Sequence, residues 1–91
     1  MNEPLGTATL IERRLREQLS AEEVHVVDDS AHHIGHPGAK SGGHYSVTVV
    51  SPVFRGLGML QRHRLVYEAL GNMMKTDIHA LSVRALTPED R

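Results

Sequence analysis

Ninety-one residues with 40% apolar and 23% charged side chains point to one soluble domain with no room for a second. A formal charge of −1 argues against an overall electrostatic grip on nucleic acid, and the absence of cysteine excludes disulfides and any thiolate metal ligand from this chain. No apolar run approaches a membrane span and no basic-then-apolar leader opens the chain, so the expected location is cytoplasmic, with no membrane partner.

Residues 1–6 read as a loose leader. Thr9 and Glu12 have capping-box spacing, and Leu10, Ile11, Leu15 and Leu19 then recur at helical intervals, so a first amphipathic helix is predicted to end near Ser20. The β-branched run Val24–Asp28 predicts a strand. From Asp29 to Gly43 the hydrophobic period disappears while four glycines and one proline enter, which predicts a hairpin loop of unusual length. His44 to Ser51 is the clearest strand, with Tyr45, Val47 and Val49 alternating with Ser46, Thr48 and Val50, and Pro52 should end it. Gly56 and Gly58 mark a turn. A second helix is expected from about Met59 to Asn72, with Leu60, His63, Tyr67, Leu70 and Met74 on its inner face and Val66 and Met73 flanking it. Ile78 to about Leu86 reads as a third strand, and Thr87-Pro88-Glu89-Asp90 as the opening of a final turn of helix.

The resulting order is α-β-β-α-β with a helical stub. Strands one and two make an antiparallel hairpin, and strand three returns through a helical crossover to lie parallel to strand two. Strand one therefore ends where strands two and three begin. The long loop and His79, far apart in sequence, fall at one end of the molecule.

Several enzyme chemistries can be set aside. Gly56-Leu57-Gly58 lacks the third glycine of a dinucleotide fingerprint, Gln61 standing in its place. Neither a nucleophile-elbow serine nor a cysteine nucleophile occurs. His32-His33-x-x-His36 lacks the glutamate of a zinc protease, and Gly35, Pro37 and Gly38 forbid the helix that such a motif needs. Of the seven histidines, His25 carries no functional argument, and His44, opening strand two, reads as a local cap or rim residue.

Two stretches carry a resemblance: the run from His44 to Tyr67, which includes Val53-Phe54-Arg55-Gly56 and Arg62-His63-Arg64, and Ile78-His79-Ala80-Leu81-Ser82-Val83. From about Leu10 to Pro88 the chain resembles the BolA family. The resemblance implies an α+β, αββαβ(α) domain of the class II KH-like type, with helices on one face of a three-stranded mixed sheet. It implies a non-enzymatic partner of a monothiol glutaredoxin, sharing a [2Fe-2S] cluster with it and with glutathione, in cluster transfer or regulation. His79 matches the family's shared metal ligand. His33 best matches the Cys or His ligand carried in the family's loop, with His32 and His36 as rivals. Imidazole ligation in place of thiolate gives a cluster of Rieske-like character. Alone, the protein is expected to be a monomer or weak homodimer.

An alternative implied by the same family is a DNA-binding transcriptional regulator of stress response and cell morphology. Its reading element would be the helix bearing Arg62, His63 and Arg64, with Arg55 beside it. A Gly-x-x-Gly loop between helices, with which KH domains clamp nucleic acid, does not occur here.

Overall fold

The first helix, α1, runs Thr7–Leu19 and starts two residues before the Thr9–Glu12 pair expected to cap it. Gly6 occupies the N-cap without a side-chain bond, and Ala8 packs against the core, so the extra turn has something to bury. Glu12 turns away from Thr9 and pairs with Arg16 at 3.1 Å, one helical turn on. Ile11, Leu15 and Leu19 form the buried stripe, and Ser20 closes the helix in the left-handed region at φ 50°. These features come from a computed structural model that describes residues 6–29 and 43–91; the leader and the histidine-rich part of the hairpin loop, 1–5 and 30–42, lie outside the described residues.

β1 (Glu23–Asp28) and β2 (Gly43–Val50) pair antiparallel, with Val24 opposite Val49 and Asp28 opposite Tyr45. β3 (Ile78–Leu86) pairs parallel to β2, which therefore sits in the middle of the sheet. Tyr45, Val47 and Val49 are buried on the face covered by α1 and by the second helix, α2 (Met59–Leu70). On the opposite face His25, Ala80, Ser82 and Arg84 are exposed. This is the expected α+β arrangement, with helices on one side of a mixed sheet.

The expected inner face of α2 is corrected. Val66, Ala69 and Leu70 are buried, and Met73 continues that stripe, whereas Leu60 and Tyr67 are 64% and 41% exposed. The stripe follows i, i+3, i+4, i+7 from Val66, and His63 rides at its half-buried rim. The helix also stops two residues earlier than predicted. Gly71, at φ 55°, turns the chain out of helical geometry, and a four-residue helix, α3 (Met73–Thr76), restarts beyond it.

Two small devices lock the helices to the sheet. Fully buried Ser51 donates its hydroxyl to the Leu19 carbonyl at 2.5 Å, and its Oγ accepts from the Val53 N–H. One side chain thus ties the end of α1 to the end of β2 and opens the 3-10 turn Pro52–Phe54, whose Phe54 ring is fully buried. At the other end of the chain, Thr87 and Asp90 cap one another reciprocally around the 3-10 turn Pro88–Asp90. Arg62 donates to the Leu57 and Ala85 carbonyls and to Asp90. Arg55 grips Glu89 with two bonds of 2.9 and 2.5 Å, and Arg91 reaches Glu22 and Glu23.

Two outcomes follow. Phe54→Ala should lower unfolding free energy by about 3–5 kcal/mol, and Ser51→Ala by about 1–3 kcal/mol, because each leaves a cavity or an orphaned carbonyl; urea titration followed by circular dichroism measures both. The second concerns pH. The Arg55 bond holds the Glu89 carboxyl below its ordinary range, and the Thr87 backbone N–H, then its hydroxyl and Arg62, do the same for Asp90. Depressed carboxylates contribute fully above the ordinary range near pH ~4 and lose that contribution as pH falls through their lower folded values. Carboxyl NMR titration should show Glu89 and Asp90 each titrating below the ordinary value of its residue type, and Arg55→Ala should bring Glu89 alone back up.

Candidate metal centre at the sheet end

The pairing of β2 with β3 is not in simple register at its start. Gly43 lies opposite Ile78, but His44 lies opposite Ala80, so His79 is the extra residue of a bulge. The consequence is visible in burial along β3. Ile78 is buried, His79 and Ala80 are both exposed, and Leu81 turns back toward the core. Strict alternation from Leu81 would send residue 79 to the helix side of the sheet. The bulge releases it, and its ring comes to rest 5.0 Å, centroid to centroid, from that of half-buried His44, the planes tilted by 41°.

The same end of the sheet receives both ends of segment 30–42. The Asp29 N–H donates to the His44 carbonyl at 2.7 Å, and the Asp29 carboxylate accepts from the Ser46 hydroxyl at 2.7 Å. The Gly43 N–H donates to the Asp77 carbonyl at 3.1 Å, two residues before His79. The expected juxtaposition of the loop's ends with His79 is therefore present. His33 and its rivals His32 and His36 lie outside the described residues.

His44 is the residue that sequence reasoning missed. Read as a rim histidine, it proves to be the imidazole neighbouring His79. The available signal was that both residues open strands that begin at the same edge.

The arginine-bearing site lies elsewhere. Arg62, with a side chain 20% exposed, is fixed by two backbone carbonyls and Asp90, and Arg55 is occupied by Glu89. Arg64 is exposed and makes no ion pair with a described residue. His63 lines a groove of about 460 Å³ between α2 and the far end of β3, with Met59, Val83 and Leu86 among its walls. Six residues of strand separate His79 from Ala85, about 20 Å at a rise of about 3.3 Å per residue. The two candidate sites do not touch.

Among the described residues, no helix is long and apolar enough to cross a membrane, and no group of three His, Cys, Asp or Glu side chains gathers to hold a metal ion.

Comparison with known proteins agrees with this architecture. BolA-like protein 1 of Homo sapiens is 42% identical over 78 residues, which are 86% of this chain and 56% of the human protein. The chain thus spans about half the length of that relative. The protein named DNA-binding transcriptional regulator BolA in Vibrio cholerae is 36% identical over 81 residues, 89% of this chain and 74% of the relative. The solved BolA domain of SufE1 from Arabidopsis thaliana matches with a TM-score of 0.82 at 36% identity, covering 97% of this chain and 100% of that one. The sequence model described as BolA-like protein matches residues 15–90. The chain belongs to the BolA-like protein family.

Proposed function

We propose that this chain is a non-enzymatic iron–sulfur accessory protein that binds a monothiol glutaredoxin and shares a bridging [2Fe-2S] cluster with it, in cluster transfer or in regulation of that partner. One observation carries the reading: an exposed imidazole, His79, stands on a bulge beside both anchored ends of the histidine-rich segment. A histidine four residues beyond Asp29 is within about 14 Å of it along an extended chain, so His33 has the reach to join His79.

The donor chemistry fits the group. The chain has seven histidines and no cysteine, so it can supply imidazole to an iron–sulfur cluster but no sulfur. The partner and glutathione must supply the thiolates. His79 would hold the cluster from this side, with His33, or else His32 or His36, as second ligand. When bound, such a cluster is an electron-accepting group whose potential imidazole ligation raises. This chain's own task is to present imidazoles at an accessible edge and to hold them on the sheet.

A second reading, DNA-binding regulation, is favoured by the name of the Vibrio cholerae relative. Of its four candidate residues, Arg55 and Arg62 are engaged within the chain and His63 is half-buried, which leaves Arg64 as the outward cation. A single such cation gives a weak, salt-sensitive contact, since each phosphate neutralised adds a slope of about −0.9 in log affinity against log salt.

Mixing the protein with a monothiol glutaredoxin, glutathione, iron and sulfide should give a visible absorption and circular dichroism spectrum distinct from that of glutaredoxin alone. His79→Ala should abolish the difference. A spectrum indifferent to this protein defeats the first reading. A gel-shift titration against salt tests the second: specific binding whose salt slope shrinks by about one unit in Arg64→Ala supports it.

A further inference from the structure

We propose that the free edge of β3 takes a further strand: an extended, acidic segment of a partner protein, which pairs with Leu81 and Val83 and drops apolar side chains into the groove beside α2. β3 is an outer strand of the sheet, and its hydrogen bonds show which way each residue faces. The Leu86 carbonyl accepts from the Ser51 N–H on the β2 side, whereas the Ala85 carbonyl accepts from Arg62 on the other. Alternation then turns the N–H and carbonyl of Leu81 and Val83 away from β2. Among the described residues, nothing outside the sheet bonds to them.

The two ends of this edge are closed and its middle is open. The bulge at His79 interrupts the start, and the Arg62 guanidinium occupies the Ala85 carbonyl. Residues 80–84, between them, include one charge, Arg84, and no proline. Exposed edges are commonly guarded by proline, charge or a bulge, since an open ladder templates pairing with another chain. A lone guanidinium over the middle repels a basic strand and attracts an acidic one, so it selects a partner rather than sealing the edge. Arg84 is exposed and makes no ion pair with a described residue. β1, the other edge, begins and ends with acids, Glu23 and Asp28, and contains no lysine or arginine.

Side chains of an added strand point alternately to the two faces of the sheet. On the helix face they meet the groove of about 460 Å³, where Leu57, Met59, His63 and Val83 form walls and Met59 is 74% exposed. On the open face they meet Ala80, Ser82 and Arg84. The fitting segment therefore alternates apolar with acidic residues; main-chain bonds supply affinity and the two faces supply selectivity. A second copy of this chain fits less well. Two β3 edges paired antiparallel about Ser82 would set each Arg84 against Ala80 and leave both cations unanswered.

The probe is a blocked octapeptide, acetyl-Asp-Val-Glu-Leu-Glu-Val-Asp-Ser-amide, titrated into the full chain and followed by calorimetry and amide NMR. One site is expected, with shifts and slowed hydrogen exchange centred on the Leu81 and Val83 amides. A counterpart with lysine in every acidic place should bind at least about tenfold more weakly, and Arg84→Glu should reverse that order. N-methylating alternate peptide bonds should abolish binding in one of the two frames and spare the other. Val83→Pro removes an edge N–H without touching a bond to β2 and should also abolish it; circular dichroism checks its fold, and the N-methyl series decides the point if that variant unfolds. No binding of the acidic peptide overturns the proposal, as do equal affinities in the two N-methyl frames or shifts centred on β1. Oligodeoxythymidine that moves the same amides and binds more tightly than the peptide gives the groove to nucleic acid instead. A free protein that is dimeric, with the Leu81 and Val83 amides already slow to exchange, gives the edge to a second copy and overturns it too.

Discussion

A one-residue offset between β2 and β3 decides what the sheet end of this molecule can do. Parallel strands in regular register keep partners on the same face, and the face of Leu81 and Val83 belongs to the core. Without the bulge, Ile78 and His79 would exchange environments. An apolar side chain would meet water and an imidazole would enter the packing under the helices, where it would need a hydrogen-bond partner. With it, Ile78 is buried at 3% exposure and His79 faces out beside His44. The same residue count therefore serves core and site together. Burying Ile78, a contribution of about 1.5–3 kcal/mol, helps hold the bulge open.

The opposite end of the sheet is organised by charge and by backbone satisfaction. Arg62 is the centre of it, donating to the Leu57 and Ala85 carbonyls as well as to the Asp90 carboxylate. Exposed ion pairs by themselves contribute about 0–1 kcal/mol. Arg62 does more than that because it also makes two part-buried bonds to backbone carbonyls, and a hydrogen bond from a charged donor contributes more than an exposed ion pair. A guanidinium so engaged is poorly placed to read a base or neutralise a phosphate, which requires donors turned outward. The Arg-His-Arg segment therefore has a structural occupation in this chain whatever else it touches. Arg64, the outward member, is the one whose removal would leave the fold alone.

The architecture was legible in the sequence because its signals are local. Period-two alternation from Tyr45 to Val49 located the central strand, and helical spacing of Ile11, Leu15 and Leu19 located α1. The Thr-Pro-Glu-Asp stretch also declared its turn, with Thr87 at the N-cap, though not the bond by which Asp90 returns to the Thr87 N–H. Three features escaped. Thr9 and Glu12 match a cap by spacing, but spacing is blind to Ala8, whose packing carries the helix further back. Leu60 and Tyr67 are apolar at helical intervals, yet the face that α2 buries is chosen by its partners, α1 and the sheet, which single-helix periodicity does not contain. The contact between His44 and His79 depends on a register shift, and alternation of side chains carries no record of which residue a neighbouring strand skips. Strand order placed the two histidines at one edge; only the coordinates bring their rings within 5.0 Å.

The separation between the two sites has a consequence for how variants should be read. Substitutions more than about 7–10 Å apart with no shared partners usually combine additively, and the histidine end is about 20 Å of strand from the Ala85 carbonyl that Arg62 holds. A change at His79 that altered nucleic-acid affinity, or a change at Arg64 that altered metal binding, could not be assigned to contact. It would have to act through the sheet, whose strands run from the histidine end to the arginine end. β3 is an edge strand, paired on one side only among the described residues, and it is joined to β2 along its whole length. Its first residue, Ile78, is part of the core, so any coupling between the two ends would have to disturb that packing on its way along the sheet.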